Sequence, residues 1–172
     1  MPYLMRSHIH HPVTPVSLFA RVGNEGTITL AAVKFGHYTT CDGIKAVLSD
    51  NRALHEYAVA LNDFLDTTRH DLGSLPLAMD GYTDFQRRVF TVARKIPWGK
   101  TVSYKALAEK SGCRQAVRAV AHVIRNNRFP LIIPCHRVIR SDGTIGGFAG
   151  QMQGGMVKLK RVLLEREGIT VR

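Results

Sequence analysis

The chain has 172 residues, 45% of them hydrophobic, which is enough for one ordinary domain or two small ones packed together. Lys and Arg outnumber Asp and Glu by 24 to 13, a net charge of +11 that points to a polyanionic partner, nucleic acid or an anionic membrane, ahead of a merely solvated basic surface. No apolar run approaches the roughly 20 residues needed to span a bilayer and no signal-peptide pattern opens the chain, while three cysteines without CxxC spacing argue against a disulfide framework and for a reducing, intracellular compartment.

The first dozen residues, with His8, His10, His11 and two prolines, predict an irregular start. From Val13 to Phe35 the pattern alternates, with Val16, Leu18, Ala20 and Val22 on one face, and predicts a β-hairpin turning at 23–26. Leu54, Ala58, Leu61 and Leu65 recur at helical spacing and predict an amphipathic helix over 51–65. The glycines, proline and short polar residues from Thr67 to Gly81 mark a boundary between two subdomains, 1–80 and 81–172. Beyond it Thr83 and Gln86 form a capping-box signature, and Phe85, Val89, Val92 and Ile96 line one helical face until Pro97 stops it. After a turn at Trp98-Gly99-Lys100 a short helix runs from Tyr104 to Lys110, with Ser103 as its cap and Gly112 past its end. A second helix follows from Arg114 to Arg125, completing a helix-turn-helix pattern. No internal repeat is present.

On a wheel of about 100° per residue, Ala116, Val117, Val120, Val123 and Ile124 gather on one side of that second helix. Arg114, Arg118, His122 and Arg125 gather on the other, with no acid among them. Such a row can bind phosphates or enter a groove of duplex DNA; a solvated face is the plain alternative.

The next segment, Asn127 to Ile139, holds three large aliphatics between Pro130 and Pro134, then Cys135-His136-Arg137-Val138. Proline lacks an N–H and fixes φ, so this stretch reads as neither helix nor central strand, and as a rigid approach that sets Cys135 in place. Beside a histidine and an arginine a cysteine can be a thiolate at neutral pH, the form that attacks carbon. A buried inert cysteine is the alternative, and a metal pair of Cys135 and His136 lacks further ligands at zinc-site spacing. Asp142-Gly143 signals a turn, and Gly146-Gly147-Phe148-Ala149-Gly150 suits backbone that must approach a ligand closely. A final helix spans Met156 to Glu167, with Met156, Leu159, Val162 and Leu163 on one face, Glu167 in its last turn and Gly168 ending it.

From Thr83 to Gly168 these landmarks come in a specific order: Ile96-Pro97-Trp98-Gly99, Val102-Ser103-Tyr104, Arg118-Ala119-Val120, Asn127, Pro134-Cys135-His136-Arg137-Val138 and Leu164-Glu165-Arg166-Glu167-Gly168. In this the chain resembles the O6-alkylguanine-DNA alkyltransferases, direct-reversal repair proteins. The amino-terminal half is matched only by its hairpin–helix layout. The resemblance implies an α/β fold: a small ribonuclease-H-like α/β domain followed by a helical domain with a (winged) helix-turn-helix. It implies single-turnover, irreversible transfer of an alkyl group from guanine O6 in duplex DNA, with thymine O4 as a second candidate oxygen, to Cys135 after base flipping. His136 would be the water-mediated base, Glu167 the acid that orients it, and Tyr104 the hydrogen-bonding partner of the flipped guanine. Arg118 would fill the gap in the stack, with Arg114, Ser103, His122 and Arg125 on the DNA, and Asn127 would brace the cysteine loop. Pro134, Arg137, Val138, Gly146, Gly147, Phe148 and Ala149 would shape the active-site loops.

No cofactor is implied, and the expected protein is a monomer without a membrane partner, cytoplasmic in a prokaryote or nuclear in a eukaryote. Departures from the family's pattern are Ala149 in place of a frequent serine, Phe148 in place of a tyrosine, Ala121-His122 in place of a glycine-containing pair, and extra loop at Gln151 to Gly155. They bear on substrate range and rate. Competing readings are an alkyltransferase-like protein that binds lesions without transfer, which would lack Cys135, a plain helix-turn-helix regulator, and a cysteine hydrolase. His8, His10, His11, His37 and Cys41 could bind zinc in the amino-terminal half, but their irregular spacing favours surface histidines or an exposed arm.

Overall fold

The amino terminus departs from the irregular start expected of it. In the computed structural model, which describes residues 4–23, 26–41, 44–67 and 72–172, Leu4–Ile9 is a strand, β1. It pairs antiparallel along its length with β2 (Val16–Val22), from Leu4 opposite Arg21 to Ile9 opposite Val16. The histidines obscured it in the sequence, because their polarity is satisfied locally: His8 Nδ1 lies 2.9 Å from the Ser17 hydroxyl, and Met5 and Ile9 carry the burial.

β2 pairs antiparallel with β3 (Ile28–Phe35), as the hairpin reading requires; Asn24 and Glu25 of the turn lie outside the described residues. The alternation along β2 holds less well. Val16, Ser17, Leu18, Phe19 and Ala20 are all fully buried, so this central strand is covered on both faces. A bulge between Phe19 and Ala20 sets Phe19 opposite Ala32 and Ala20 opposite Leu30. The buried Ser17 hydroxyl donates to the Gly36 carbonyl (2.6 Å) and accepts the Tyr38 N–H (2.9 Å). After a short hairpin of β4 (Thr40–Cys41) and β5 (Ile44–Lys45), β6 (Val47–Leu48) joins β1 in parallel, giving the order β3-β2-β1-β6. Helix α1 (Arg52–Thr67) is started by Asn51, whose Oδ1 accepts the Ala53 and Leu54 N–H groups, and it buries Leu54, Leu61, Phe64 and Leu65. His11 is no exposed arm: it is buried, with Nε2 on Asp66 at 2.8 Å and Nδ1 accepting the Val13 N–H.

The chain divides into two compact units, Met1–Ala78 and Met79–Arg172; of the expected boundary segment, 68–71 lie outside the described residues. In the second unit α2 (Asp84–Arg94) begins with the expected capping box: the Gln86 N–H donates to Thr83 Oγ1, and Gln86 Oε1 accepts the Thr83 N–H. Its buried face is Val89, Phe90 and Ala93, with Phe85 and Val92 at the margin. Then come β7 (Val102–Ser103), α3 (Tyr104–Lys110), α4 (Val117–Arg125), a single 3-10 turn at Cys135–Arg137, β8 (Val138–Ile139) and α5 (Gly155–Arg166). The cysteine segment is thus not wholly irregular, since it closes one 3-10 turn and runs into β8, which pairs in parallel with β7. Among the described residues no helix is long and apolar enough to cross a membrane. The architecture is mixed α/β.

Helix α4 starts three residues later than the periodicity suggests. Arg114 lies in the preceding turn, and its guanidinium is 3.2 Å from the Glu109 carboxylate, so it is neither on the stripe nor without an acid beside it. Helix α5 ends at Arg166 with Glu167 as its cap, and Val162, expected inside, is 39% exposed; Lys160 takes the inward place.

Candidate active site

Two chain segments fix the position of Cys135. Behind it, Leu131, Ile132 and Ile133 are all buried, and Leu131 holds φ at 74°, a value a bulky side chain adopts only when its surroundings impose it. Asn127 ties this segment down: its Nδ2 donates to the Ile133 carbonyl (2.9 Å) while its Oδ1 accepts the Phe129 N–H (2.9 Å). In front, the β7–β8 ladder sets Val102 beside Val138 and Ser103 beside Ile139, joining the start of α3 to the cysteine segment. Ser103 caps α3 by accepting the Ala106 N–H (3.0 Å), so Tyr104 is held as the first residue of the helix.

Cys135 lines a cavity of about 400 Å³ together with Tyr104, Arg118, His122, Arg125 and the 146–149 loop, a size in the roughly 300–1,000 Å³ range of small-ligand sites. Arg118 and His122 are exposed on α4, and Arg125, also exposed, reaches across to donate to the Gly150 carbonyl (3.2 Å). The structure therefore brings the acceptor candidate, the tyrosine, three residues of the basic stripe and the glycine loop onto one cavity. Ser103, Arg114, Asn127, Pro134, His136, Arg137, Val138 and Glu167 are not on its wall. Arg140, which sequence reading passed over, is, as are Gln151 and Met152 of the extra loop.

The side chains of His136 and Arg137 both bond to Glu167. The His136 ring is completely buried and its Nε2 lies 2.7 Å from Glu167 Oε1. The Arg137 Nε donates to both Glu167 oxygens (3.0 and 2.9 Å), its Nη1 donates to the Ile96 carbonyl (2.7 Å), and its guanidinium lies over Trp98. The Gly99 N–H completes the set on Glu167 Oε2 at 3.1 Å. Ile96-Pro97-Trp98-Gly99 and the end of α5 thus meet around one buried carboxylate. Burial alone would favour protonated Glu167; the His136 hydrogen bond, the Arg137 charge and the Gly99 N–H outweigh it and hold the carboxyl below its usual range.

The charge state of Cys135 corrects the thiolate expected from its neighbours. Burial pushes its pKa up, against the Asn127 side chain, the Lys160 charge and nearby backbone N–H groups, so the resting sulfur is a thiol. Burial likewise lowers the His136 pKa against the pull of Glu167, giving a neutral imidazole. With Nε2–H assigned to Glu167, Nδ1 is the free base; it is buried and has no partner among the described residues. Burial pushes Tyr104 up to about 12, which keeps its hydroxyl a donor.

Lys160 was missed entirely. It is fully buried, and its Nζ donates to the carbonyls of Val138 (2.6 Å), Ile145 (2.7 Å) and Gly147 (3.2 Å), binding the cysteine segment to the glycine loop. Burial lowers its pKa to about 8. Its signal was a lysine at helical spacing among Leu159, Leu163 and Leu164, on the face meant for the core. The glycine loop also differs from expectation in one respect. A Cβ on Gly147 would stand 2.8 Å from the Gln151 carbonyl and from Met152 Sδ, so what approaches it is the protein's own next turn. In the first unit the rings of His8, His10 and His37 cluster, but His11 is held by Asp66 and Cys41 is packed on Phe19, Ala31, Ala32 and Ala46. Among the described residues no group of three or more His, Cys, Asp or Glu side chains could hold a metal ion.

Comparison with known proteins bears on the same unit. Residues 84–169 match the family profile described as "6-O-methylguanine DNA methyltransferase, DNA binding domain". A methylated-DNA–protein-cysteine methyltransferase of Methanothermobacter thermautotrophicus is 41% identical over 76% of this chain and 72% of that protein. One from Saccharolobus islandicus is 37% identical over 76% and 80%. Among solved structures, the O6-methylguanine methyltransferase of Mycobacterium tuberculosis matches with a TM-score of 0.70 at 28% identity, over 97% of this chain and 93% of that one. OGT of the same organism in complex with DNA gives 0.71 at 29% over 96% and 92%. A profile that spans half the chain, a relative covered over most of its length and a fold matched nearly throughout agree with the buried thiol at the cavity floor: this chain belongs to the O6-methylguanine-DNA methyltransferase family.

Proposed function

We propose that this protein reverses O6-alkylguanine lesions in duplex DNA, with thymine O4 as a second oxygen, by moving the alkyl group onto Cys135 once per molecule. The observation that carries the reading is the buried Cys135 thiol on a cavity whose mouth is lined by Arg118, His122 and Arg125. We assign the chemistry to 81–172 and read 1–80 as a ribonuclease-H-like unit, supported by the β3-β2-β1-β6 order with only β6 parallel. Helices α3 and α4 are the helix-turn-helix, with the β7–β8 ladder as its wing. The protein acts as an intracellular monomer.

The base is extruded into the cavity, and Arg118 occupies the space it leaves, offsetting an unstacking cost of a few kcal/mol. The Cys135 sulfur attacks the alkyl carbon, the S–C bond forms, and the C–O6 bond breaks with its electron pair passing to guanine. The thiol proton leaves through a water to His136 Nδ1, and Glu167 stabilises the imidazolium that results. The Tyr104 hydroxyl donates to the guanine ring as it gains charge. Arg137 and Gly99 hold Glu167, Asn127 and Pro134 hold the cysteine segment, and Val138 anchors it in the ladder. Phe148 offers a stacking face and Ala149 only a backbone N–H. Ser103, His122, Arg125 and the more distant Arg114 contact the DNA backbone. The thioether is stable, so no turnover follows.

The test is intact mass after incubation with an O6-methylguanine oligonucleotide. The mass rises by one methyl replacing hydrogen, the modified peptide contains Cys135, and Cys135→Ser binds DNA without transfer. Modification at Cys41 or Cys113 would sink the assignment.

A further inference from the structure

The turn after the glycine loop leads into Gln151 and Met152, which have no role in the reaction just described. Ala149 and Gly150, at φ 45° and 83°, form its corner. It is closed on both sides by the Phe148 N–H on the Gln151 carbonyl (2.8 Å) and the Gln151 N–H on the Phe148 carbonyl (2.9 Å). Two central residues at positive φ make a tight, rigid hairpin corner. Gln151 then reaches forward, its Oε1 accepting the Met156 N–H at the start of α5 (3.4 Å). Met152, next in the chain, is therefore held from both sides, with its sulfur against Gly147.

Despite that fixed position Met152 is 69% exposed, more than any other large apolar side chain among the described residues. Single exposed apolar side chains are ordinary. Val47 and Leu48 on β6 are of that kind. Met152 differs because it lines the cavity that Cys135 lines, beside Gly147 of the glycine loop.

We propose that Met152 is a specificity-determining residue whose thioether closes over one face of the guanine held in the cavity. The inference rests on the alkyl-transfer reading and deepens it. A purine supplies an extended aromatic face, and an unbranched, polarizable thioether makes favourable contact with such a face with sulfur about 5 Å from the ring. Tyr104 and Arg140 serve the polar edge of the same base, and among the described residues no other exposed large apolar side chain lines the cavity. Met152 thus touches the base itself, whereas Arg118 touches the stack the base has left.

Two substrates separate these contacts: free O6-benzylguanine, which has no stack, and O6-methylguanine within a duplex. Second-order rate constants for labelling Cys135 are measured on both for the parent, Met152→Ala, Met152→Leu and Arg118→Ala. Met152→Ala slows both substrates by about fivefold to tenfold, Met152→Leu recovers most of the rate, and affinity for undamaged duplex is unchanged. Parent rates for Met152→Ala on both substrates overturn the inference. So does a loss confined to the duplex, which would place Met152 on the neighbouring base pairs. Failure of the parent to label Cys135 from either substrate would instead remove the alkyl-transfer reading, and this inference with it.

Discussion

Two sets of cations in the second unit are built in opposite ways. Arg137 and Lys160 are buried, and their hydrogen bonds go to the protein itself: a carboxylate, the Ile96 carbonyl and three carbonyls that join the cysteine segment to the glycine loop. Arg118, His122 and Arg125 stand exposed at the cavity mouth, and their strongest internal ties are neutral groups, the Gly150 carbonyl for Arg125 and the Asn126 amide for His122. A net charge of +11 is therefore not one property. Part of it holds a shape, and part of it is left for a polyanion. Buried charge without its partner is expensive, while exposed charge costs almost nothing to keep or lose in the free protein.

The largest effect should come from breaking the buried set. Arg137→Ala leaves Glu167 buried with half its hydrogen bonds and is expected to lower unfolding free energy by about 3–5 kcal/mol, where Arg118→Ala changes it by less than about 0.5 kcal/mol. Denaturant titration of the two variants checks this, and equal stabilities would erase the distinction between the sets.

Next in size is a change of chemistry with the fold kept. Glu167→Gln can still accept from Arg137 but offers His136 Nε2 no anion, so transfer should slow by roughly 10²-fold with DNA affinity nearly unchanged. Transfer at the parent rate would mean the relay through His136 is wrongly drawn.

Arg118→Ala sharpens the other side of the comparison. Its rate on duplex O6-methylguanine should fall by about tenfold, because the unstacking cost is no longer offset, while free O6-benzylguanine reacts as before. The slope of log affinity against log salt should shrink by about 0.9 for Arg125→Ala, and by less for Arg114→Ala, whose cation is shared with Glu109. Equal rate losses on duplex and free base would put Arg118 in the pocket instead of the stack.

The smallest effect is on pH dependence. Burial holds the folded His136 pKa below 6.5, so as pH falls below 6.5 the unfolded chain takes up a proton that the folded one refuses, and stability declines. Glu167, held low in the fold, adds a further loss at more acid pH. His136→Asn should flatten the first decline between pH 7.5 and 5.5, measured by denaturation (about one proton's worth of slope at most); an unchanged profile would speak against a neutral buried imidazole.

Much of this was legible in the residues. The capping box at Thr83 and Gln86, the Ser103 cap, the helix pair and the rigid aliphatic approach to Cys135 are local, and each depends on near neighbours whose chemistry sequence displays. The family likeness followed from the same stretch. Where sequence reading failed, the partner lay far along the chain. β1 needed β2 and β6 to exist as a strand, and β2 lost its alternation because both of its faces are covered. Arg114 slipped from the stripe for a helix start three residues later and an acid one turn back. The reading that a thiolate could form at Cys135 leaned on His136 and Arg137 as sequence neighbours, and both side chains bond Glu167, about thirty residues on in the chain. What the sequence determined by itself is which groups are present and which local structures they can start. Tertiary structure decided how those groups are charged and what they face. Desolvation, the largest influence on Cys135, His136 and Lys160 alike, depends on everything packed around a group and on nothing written beside it in the chain.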